Sequence, residues 1–432
     1  MKLIRFMCVF AATALAASGE ETWSSFQNGG NVSQNEDGKA SLGEVRWKTS
    51  LNGYGQSSPV VWNDRICVTT VEGDQKDQYH VTAYSAADGM QLWKYSVRNP
   101  TPQENSTYVS RSAPTPVADT RGFTCFFEGG VVLALTHDGK LRWQKNLVEE
   151  FGGLGARHGL AASLENDATA VYVWVERSEN PYVLKLNLDD GNVIWKSDGV
   201  GATSWASPRL VPVGDEHHLV LSAIGAIVGL DPANGKQLWR FEGISGNSTP
   251  TPMPLGNGRF LIGATTGRGE TGGSRAPESN GVIRIQKKDE VWSADYEWHA
   301  RRATSSFGSP IVHSGIAFFV NREGVVYGLD ASDGSEKFAQ RLKGSTWATP
   351  IGVGARVFFF GRDGRVDVLT LDGEKPSVST WAGLPEPPKS APAAEGGRPS
   401  FGGGPVLYAA AWCGDYVLLR RGDELYSVAV TR

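Results

Sequence analysis

The chain has 432 residues, of which 53 are Gly, 22 Pro, 14 Trp and four Cys. Hydrophobic residues make up 40 %, enough for a core, so wholesale disorder is excluded. Lys and Arg total 42 against 46 Asp and Glu, a balance (net −4, pI ≈ 6.0) that excludes a nucleic-acid groove or a polybasic membrane surface.

Residues 1–17 read as a cleaved secretory signal peptide. Lys2 and Arg5 precede an apolar run over 6–15, and Ala14-Leu15-Ala16 supplies the small-x-small cleavage pattern. A membrane anchor is the alternative, but the run is short of the ~20 residues that span a bilayer. Cys8 follows Phe6-Met7 instead of small residues, which argues against a lipid-anchored N-terminus. Cleavage leaves Cys67, Cys125 and Cys413, which cannot all pair, and the sequence has no CxxC for a metal or redox site. The mature chain is expected in the periplasm or outside the cell, not spanning a membrane.

From residue 88 onward one unit recurs: Asp/Asn-Gly, two or three residues, then Trp within a short strand. It stands as Asp88-Gly89…Trp93, Asp138-Gly139…Trp143, Asp190-Gly191…Trp195 and Asn234-Gly235…Trp239. A degraded copy follows at Asp289…Trp292, and Asp333-Gly334…Phe338 has Phe for Trp. The aromatic residues recur about every 44–53 residues. A small residue before Pro opens the units: Ser58-Pro59, Ala113-Pro114, Ser207-Pro208, Thr249-Pro250, Ser309-Pro310, Thr349-Pro350 and Gly404-Pro405, with Ala162-Ser163 in the same place without Pro.

Between these markers lie β-branched and aromatic runs, such as 170–176, 259–263 and 356–360, with no sustained helical periodicity. Asp-Gly between strands predicts a type I′ hairpin. The period and strand count predict an all-β, eight-bladed β-propeller spanning 22–432. The segment after Gly404 has room for three strands, and Glu44–Thr49 has the pattern of an outer strand. The N-terminal strand is therefore expected to complete the last blade and close the ring.

These residues, notably Leu230-Asp231-x-x-Asn234-Gly235-x-x-x-Trp239, resemble the tryptophan-docking repeat of the PQQ-like β-propeller family. Trp23-Ser-Ser-Phe26-Gln-Asn-Gly29, Val45-Arg-Trp47 and Ser57-Ser-Pro59 are similar to its exported bacterial members. The resemblance implies one of two branches. Quinoprotein alcohol or sugar dehydrogenases carry pyrroloquinoline quinone and Ca²⁺, with a vicinal Cys pair, a catalytic Asp and Glu/Asn/Asp calcium ligands. Non-catalytic scaffolds include the propeller of the outer-membrane barrel-assembly machinery. This chain has no adjacent cysteines and no assignable calcium set, so no cofactor or metal is expected except under the dehydrogenase alternative.

Trp47, Trp93, Trp143, Trp195 and Trp239 are expected to wedge between blades and stack on Gly-containing turns, although large rings can also serve as sugar platforms. Gly267-Arg-Gly269-Glu-Thr-Gly272 matches GxGxxG, but loop residues follow where a dinucleotide site needs a helix. His217-His218 read as a polar turn, and adjacent side chains on a strand face opposite ways, so they share no metal. Glu149-Glu150, Asp189-Asp190 and Asp215-Glu216 read as turn acids. The Pro/Gly/Ala-rich stretch 384–405 reads as a mobile insertion. Ligand-binding candidates are Tyr108…Arg111, Arg157, His158, Trp205 and Trp347, which precede blade openings and are expected on one channel mouth, suited to an anionic or planar ligand. A monomeric ring with a protein or small-ligand partner at one face is the leading expectation, no catalytic residue being assigned. A carbohydrate-binding ring is a weaker one.

Overall fold

A computed structural model describes residues 22–34, 38–106, 109–156, 158–201, 205–244, 249–265, 276–373, 375–386 and 406–432. The signal peptide, the GxGxxG segment, Arg157, Tyr108 and most of the 384–405 insertion lie outside the described residues. Eight antiparallel sheets follow one another along the chain and form an eight-bladed β-propeller. Blades 1–7 span 60–98, 117–146, 165–198, 209–242, 253–299, 311–341 and 351–381. Blade 8 combines 407–431 with the N-terminal strand Ser41–Ser50, which pairs antiparallel with Glu424–Thr431. Joining both chain ends in one sheet closes the ring, as the unpaired last unit requires.

The second and third strands are almost fully buried in blades 1–4, while the outermost strands alternate: Gln91–Arg98 reads exposed, exposed, then half-buried and exposed by turns. The seams follow from the repeat. Indole N–H groups of Trp47, Trp93, Trp143 and Trp195 donate to Ala86, His137, Leu188 and Pro232 carbonyls of the next blade at 2.8–3.1 Å. Each ring covers the Gly of that blade's turn so closely that a Cβ on Gly89, Gly139, Gly191 or Gly235 would lie 2.6 Å from it.

Four expectations need correction. Glu149-Glu150 lie in the short helix Leu147–Phe151 and Glu216 begins a strand, so of the paired acids only Asp189-Asp190 lie wholly in a turn. The Asp-Gly connections are not type I′ turns, because the Gly has positive φ and the preceding Asp or Asn does not. Gly89, Gly191, Gly235 and Gly334 instead close a wider turn by donating to the carbonyl four residues back. The Asx side chain accepts the amide two residues on, as Asp88 does from Met90. Trp239 departs from the other seam tryptophans. Its indole donates to His218 Nδ1 of its own blade at 2.9 Å and its ring stacks on Phe260 of blade 5. Blade 5 has a tight Asp289-Glu290 turn there, with no Gly to cover. In blade 5 the seam residue is Trp298, which covers Gly334 and donates to Ala331, whereas Trp292 packs back on His218. His217-His218 lie in the strand Glu216–Ala223, not in a turn, and burial pushes His218 down to about 4.

Candidate binding site

The Ser/Thr-Pro markers form an inner ring. Backbone amides of Ser58, Thr115, Ser163, Ser207, Thr251 and Ser309 each donate to the hydroxyl of the next blade, on Thr115, Ser163, Ser207, Thr251, Ser309 and Thr349 in turn, at 2.9–3.2 Å. A short side chain with an acceptor oxygen is what such a close approach needs. In blades 2 and 5 that residue falls just after the Pro. At the closing seam the fully buried Arg420 of blade 8 takes over, donating to the Ser57 and Thr69 carbonyls of blade 1 at 3.1 and 2.7 Å.

The channel inside this ring is plugged by the chain's own residues 22–34. Trp23 pairs with Val61 of blade 1, and Ser33 runs parallel to Gly352 of blade 7. Between them Gln27, Asn28 and Gly29 form a left-handed turn with φ of 55°, 48° and 64°. Gln27 Nε2 donates to Ser309 Oγ and Thr349 Oγ1 at 2.9 and 2.7 Å, and its Oε1 accepts from Arg209 of blade 4 at 3.0 Å. Arg209 also pairs with Glu165 of blade 3 at 3.1 Å, both buried. Burial pushes the Glu165 carboxyl up and the Arg209 guanidinium down, each against the pull of its partner.

Above this floor lies a cavity of about 720 Å³, which brings together four candidates: Arg111, His158, Trp205 and Trp347. Trp205 has φ +67°, costly for a bulky side chain, and its amide donates to the buried carboxylate of Glu176 at 3.0 Å. Its ring meets His158 edge-on at 5.6 Å. Arg111 lies 3.5 Å over the Tyr54 ring. Trp347 stands 4.8 Å from Phe307 and 5.8 Å from Tyr408. Burial, with Tyr408 beside it, holds the Tyr54 phenol above its usual pKa.

The sequence reading missed Phe307, Arg322 and Arg362, which also line the cavity. Phe307 precedes its Pro by three residues, the same offset as Arg111, Trp205 and Trp347, so the repeat could have found it. Arg322 and Arg362 occupy the second position of the turn between second and third strands, where blade 2 has Glu128. Arg322 lies 5.3 Å over Phe307 and Arg362 4.3 Å over Trp347. Glu128 is matched by the buried Lys76 at 3.3 Å, with burial pushing the carboxyl up. Among the described residues the cavity lining holds three Arg and one His but no carboxylate, and no group of three or more His, Cys, Asp or Glu could hold a metal.

Fold and site together define an eight-bladed propeller of PQQ-like repeats, with a self-plugged channel opening into a cationic, aromatic cavity. The sequence model described as outer membrane protein assembly factor BamB matches residues 37–154, 179–262 and 279–428, and the chain belongs to that family. It is 25 % identical over 260 residues to outer membrane protein assembly factor BamB of Yersinia pestis, covering 59 % of this chain and 61 % of that one. To the protein of the same name from Burkholderia pseudomallei (strain K96243) it is 26 % identical over 235 residues, covering 51 % and 53 %. The matches thus span between half and three-fifths of those relatives. The crystal structure of BamB from Moraxella catarrhalis superposes with a TM-score of 0.57 at 13 % identity, over 90 % of this chain and all of that one, a likeness of fold. Among the described residues no helix is long and apolar enough to cross a membrane.

Proposed function

We propose that the protein is an exported, non-catalytic scaffold that binds partner proteins in outer-membrane protein assembly. The observation that carries this reading is an apolar arc on three consecutive blades. Met90, Leu92, Leu141, Val193 and Ile194, at the starts of the outermost strands of blades 1–3, are 39–66 % exposed. Exposed apolar side chains repeated at the same place on successive blades of a ring suit protein docking. The relatives' shared name, an assembly factor of the outer membrane, supports the same class of partner.

Quinone-dependent dehydrogenation is the competing chemistry, and the donor set does not fit it. Calcium needs hard oxygen ligands, among them carboxylates. The buried carboxylates around the channel are committed, Glu165 to Arg209, Glu128 to Lys76 and Glu176 to the Trp205 amide. Cys67, Cys125 and Cys413 are buried within strands of blades 1, 2 and 8. Gln27 occupies the channel floor. Protein incubated with pyrroloquinoline quinone and Ca²⁺ is expected to show no dye-linked oxidation of alcohols or aldoses; saturable turnover would overturn the scaffold reading.

A further inference from the structure

The rim carries an arc of alternating rings and cations across five blades: Arg322 on Phe307, Arg362 on Trp347, then Tyr408, then Tyr54 under Arg111. A ring against one face of a guanidinium fixes its plane and leaves the in-plane N–H groups as donors. We propose that the cavity is a receptor for a small oxyanion bearing two or more carboxylate or phosphate groups, held by Arg111, Arg322 and Arg362. The idea stands apart from the scaffold reading and survives or fails separately.

Four observations carry it. The Nε atoms of all three arginines are buried and lack a hydrogen-bond partner, and among the described residues no carboxylate forms an ion pair with any of them. Deep cations elsewhere among the described residues are satisfied: Lys76 by Glu128, Arg209 by Glu165, Arg421 by Glu424, and Arg420 by the Ser57 and Thr69 carbonyls. Partly buried guanidiniums without counter-charge are costly unless a ligand supplies it. Among the described residues the lining adds no acidic group to repel an anion.

The hydroxyl ring supplies a second set of donors. Thr115, Ser163, Ser207 and Thr251 accept a neighbouring amide on the oxygen, so each keeps its own hydrogen to donate. All four line the cavity. Its volume of about 720 Å³ falls within the range of small-molecule sites. The position of Arg322 and Arg362 is occupied in blade 2 by Glu128, turned to Lys76, so the cationic side of the cavity belongs to blades 6 and 7 with Arg111 facing it from blade 2.

Calorimetric titration of the full chain with citrate and, separately, with pyrophosphate tests this. Saturable binding of one or both is expected, citrate reporting a carboxylate ligand and pyrophosphate a phosphate ligand. The double variant Arg322→Gln/Arg362→Gln should weaken it about tenfold or more, since charge-assisted bidentate bonds are lost. Arg111→Lys keeps the charge, loses the planar stack, and should weaken binding while preserving the unfolding midpoint, which covers the case in which the double variant fails to fold. Absence of binding by both probes, affinity unchanged in Arg111→Lys and the double variant alike, or binding of a Glu-rich peptide but neither small anion would overturn the proposal. Cross-linking to partner proteins is read separately, so failure here leaves the scaffold reading intact.

Discussion

Gln27 donates from its side-chain amide to Ser309 Oγ at 2.9 Å, although 282 residues separate them. That bond, with those to Thr349 and Arg209, makes one glutamine a brace across the channel between blades 4, 6 and 7. Gln27→Leu keeps the bulk but leaves buried donors and acceptors unpaired. It should cost about 1–3 kcal/mol, read from chemical denaturation midpoints. An unchanged midpoint would mean the segment rests in the channel without bracing it.

Arg420 should matter more than its lack of an acidic partner suggests. It is fully buried, burial holds it down at about 10, and it satisfies backbone carbonyls across the one seam made by the two chain ends. Arg420→Met removes the desolvation cost of the charge but orphans those carbonyls. A net loss of about 2 kcal/mol is expected in thermal or denaturant unfolding, with Arg420→Lys recovering only part because it lacks the fork geometry.

The seam glycines can be tested against a matched control. Gly191 and Gly225 have nearly the same backbone, φ +73° and +76°. A Cβ on Gly191 would strike Trp143 at 2.6 Å, whereas at Gly225 nothing lies within 4 Å. Both Ala variants carry the left-handed cost of about 1–2 kcal/mol. Gly191→Ala should lose clearly more, and equal losses would show that the indole yields without penalty.

Acid should loosen ring closure through Glu424. Burial pushes this carboxyl up, but hydrogen bonds from Lys48, Tyr426 and Arg421 win and hold it at about 2. The unfolded value is about 4.3, so the folded state prefers the charged form. This contribution is full above the unfolded pKa and is lost as pH falls from about 5 towards 2. Because Lys48 lies in Ser41–Ser50, the bond ties the N-terminal strand to the C-terminal one. Glu424→Gln should lower stability at neutral pH and flatten its decline over that window.

The repeat was legible because packing demands recur with it. Trp143 needs a Gly191 to cover, Ser207 needs an amide 44 residues before it, and the unpaired last blade needs Glu44–Thr49. What stayed hidden depends on contacts without a period. The 22–34 plug has strands of two residues and a left-handed turn at Gln27-Asn28-Gly29, a conformation that local propensity disfavours. Trp298 escaped because it lies further along its strand than the pattern places it. Arg322 and Arg362 sit in Asn-Arg-Glu-Gly and Gly-Arg-Asp-Gly turns that read as surface, where adjacent acids suggest local pairing. Arg365 in fact pairs with Asp363, leaving Arg362 to the cavity.

The central claim, an exported scaffold for protein partners, is tested most directly by in-cell photo-cross-linking from chosen blade positions. A cross-linking amino acid at Leu92, Leu141 or Ile194 should give discrete adducts with an outer-membrane assembly protein, while the exposed positions Ser335 and Lys337 on blade 6 should not. No adduct from the apolar arc, or equal adducts from blade 6, would contradict the account.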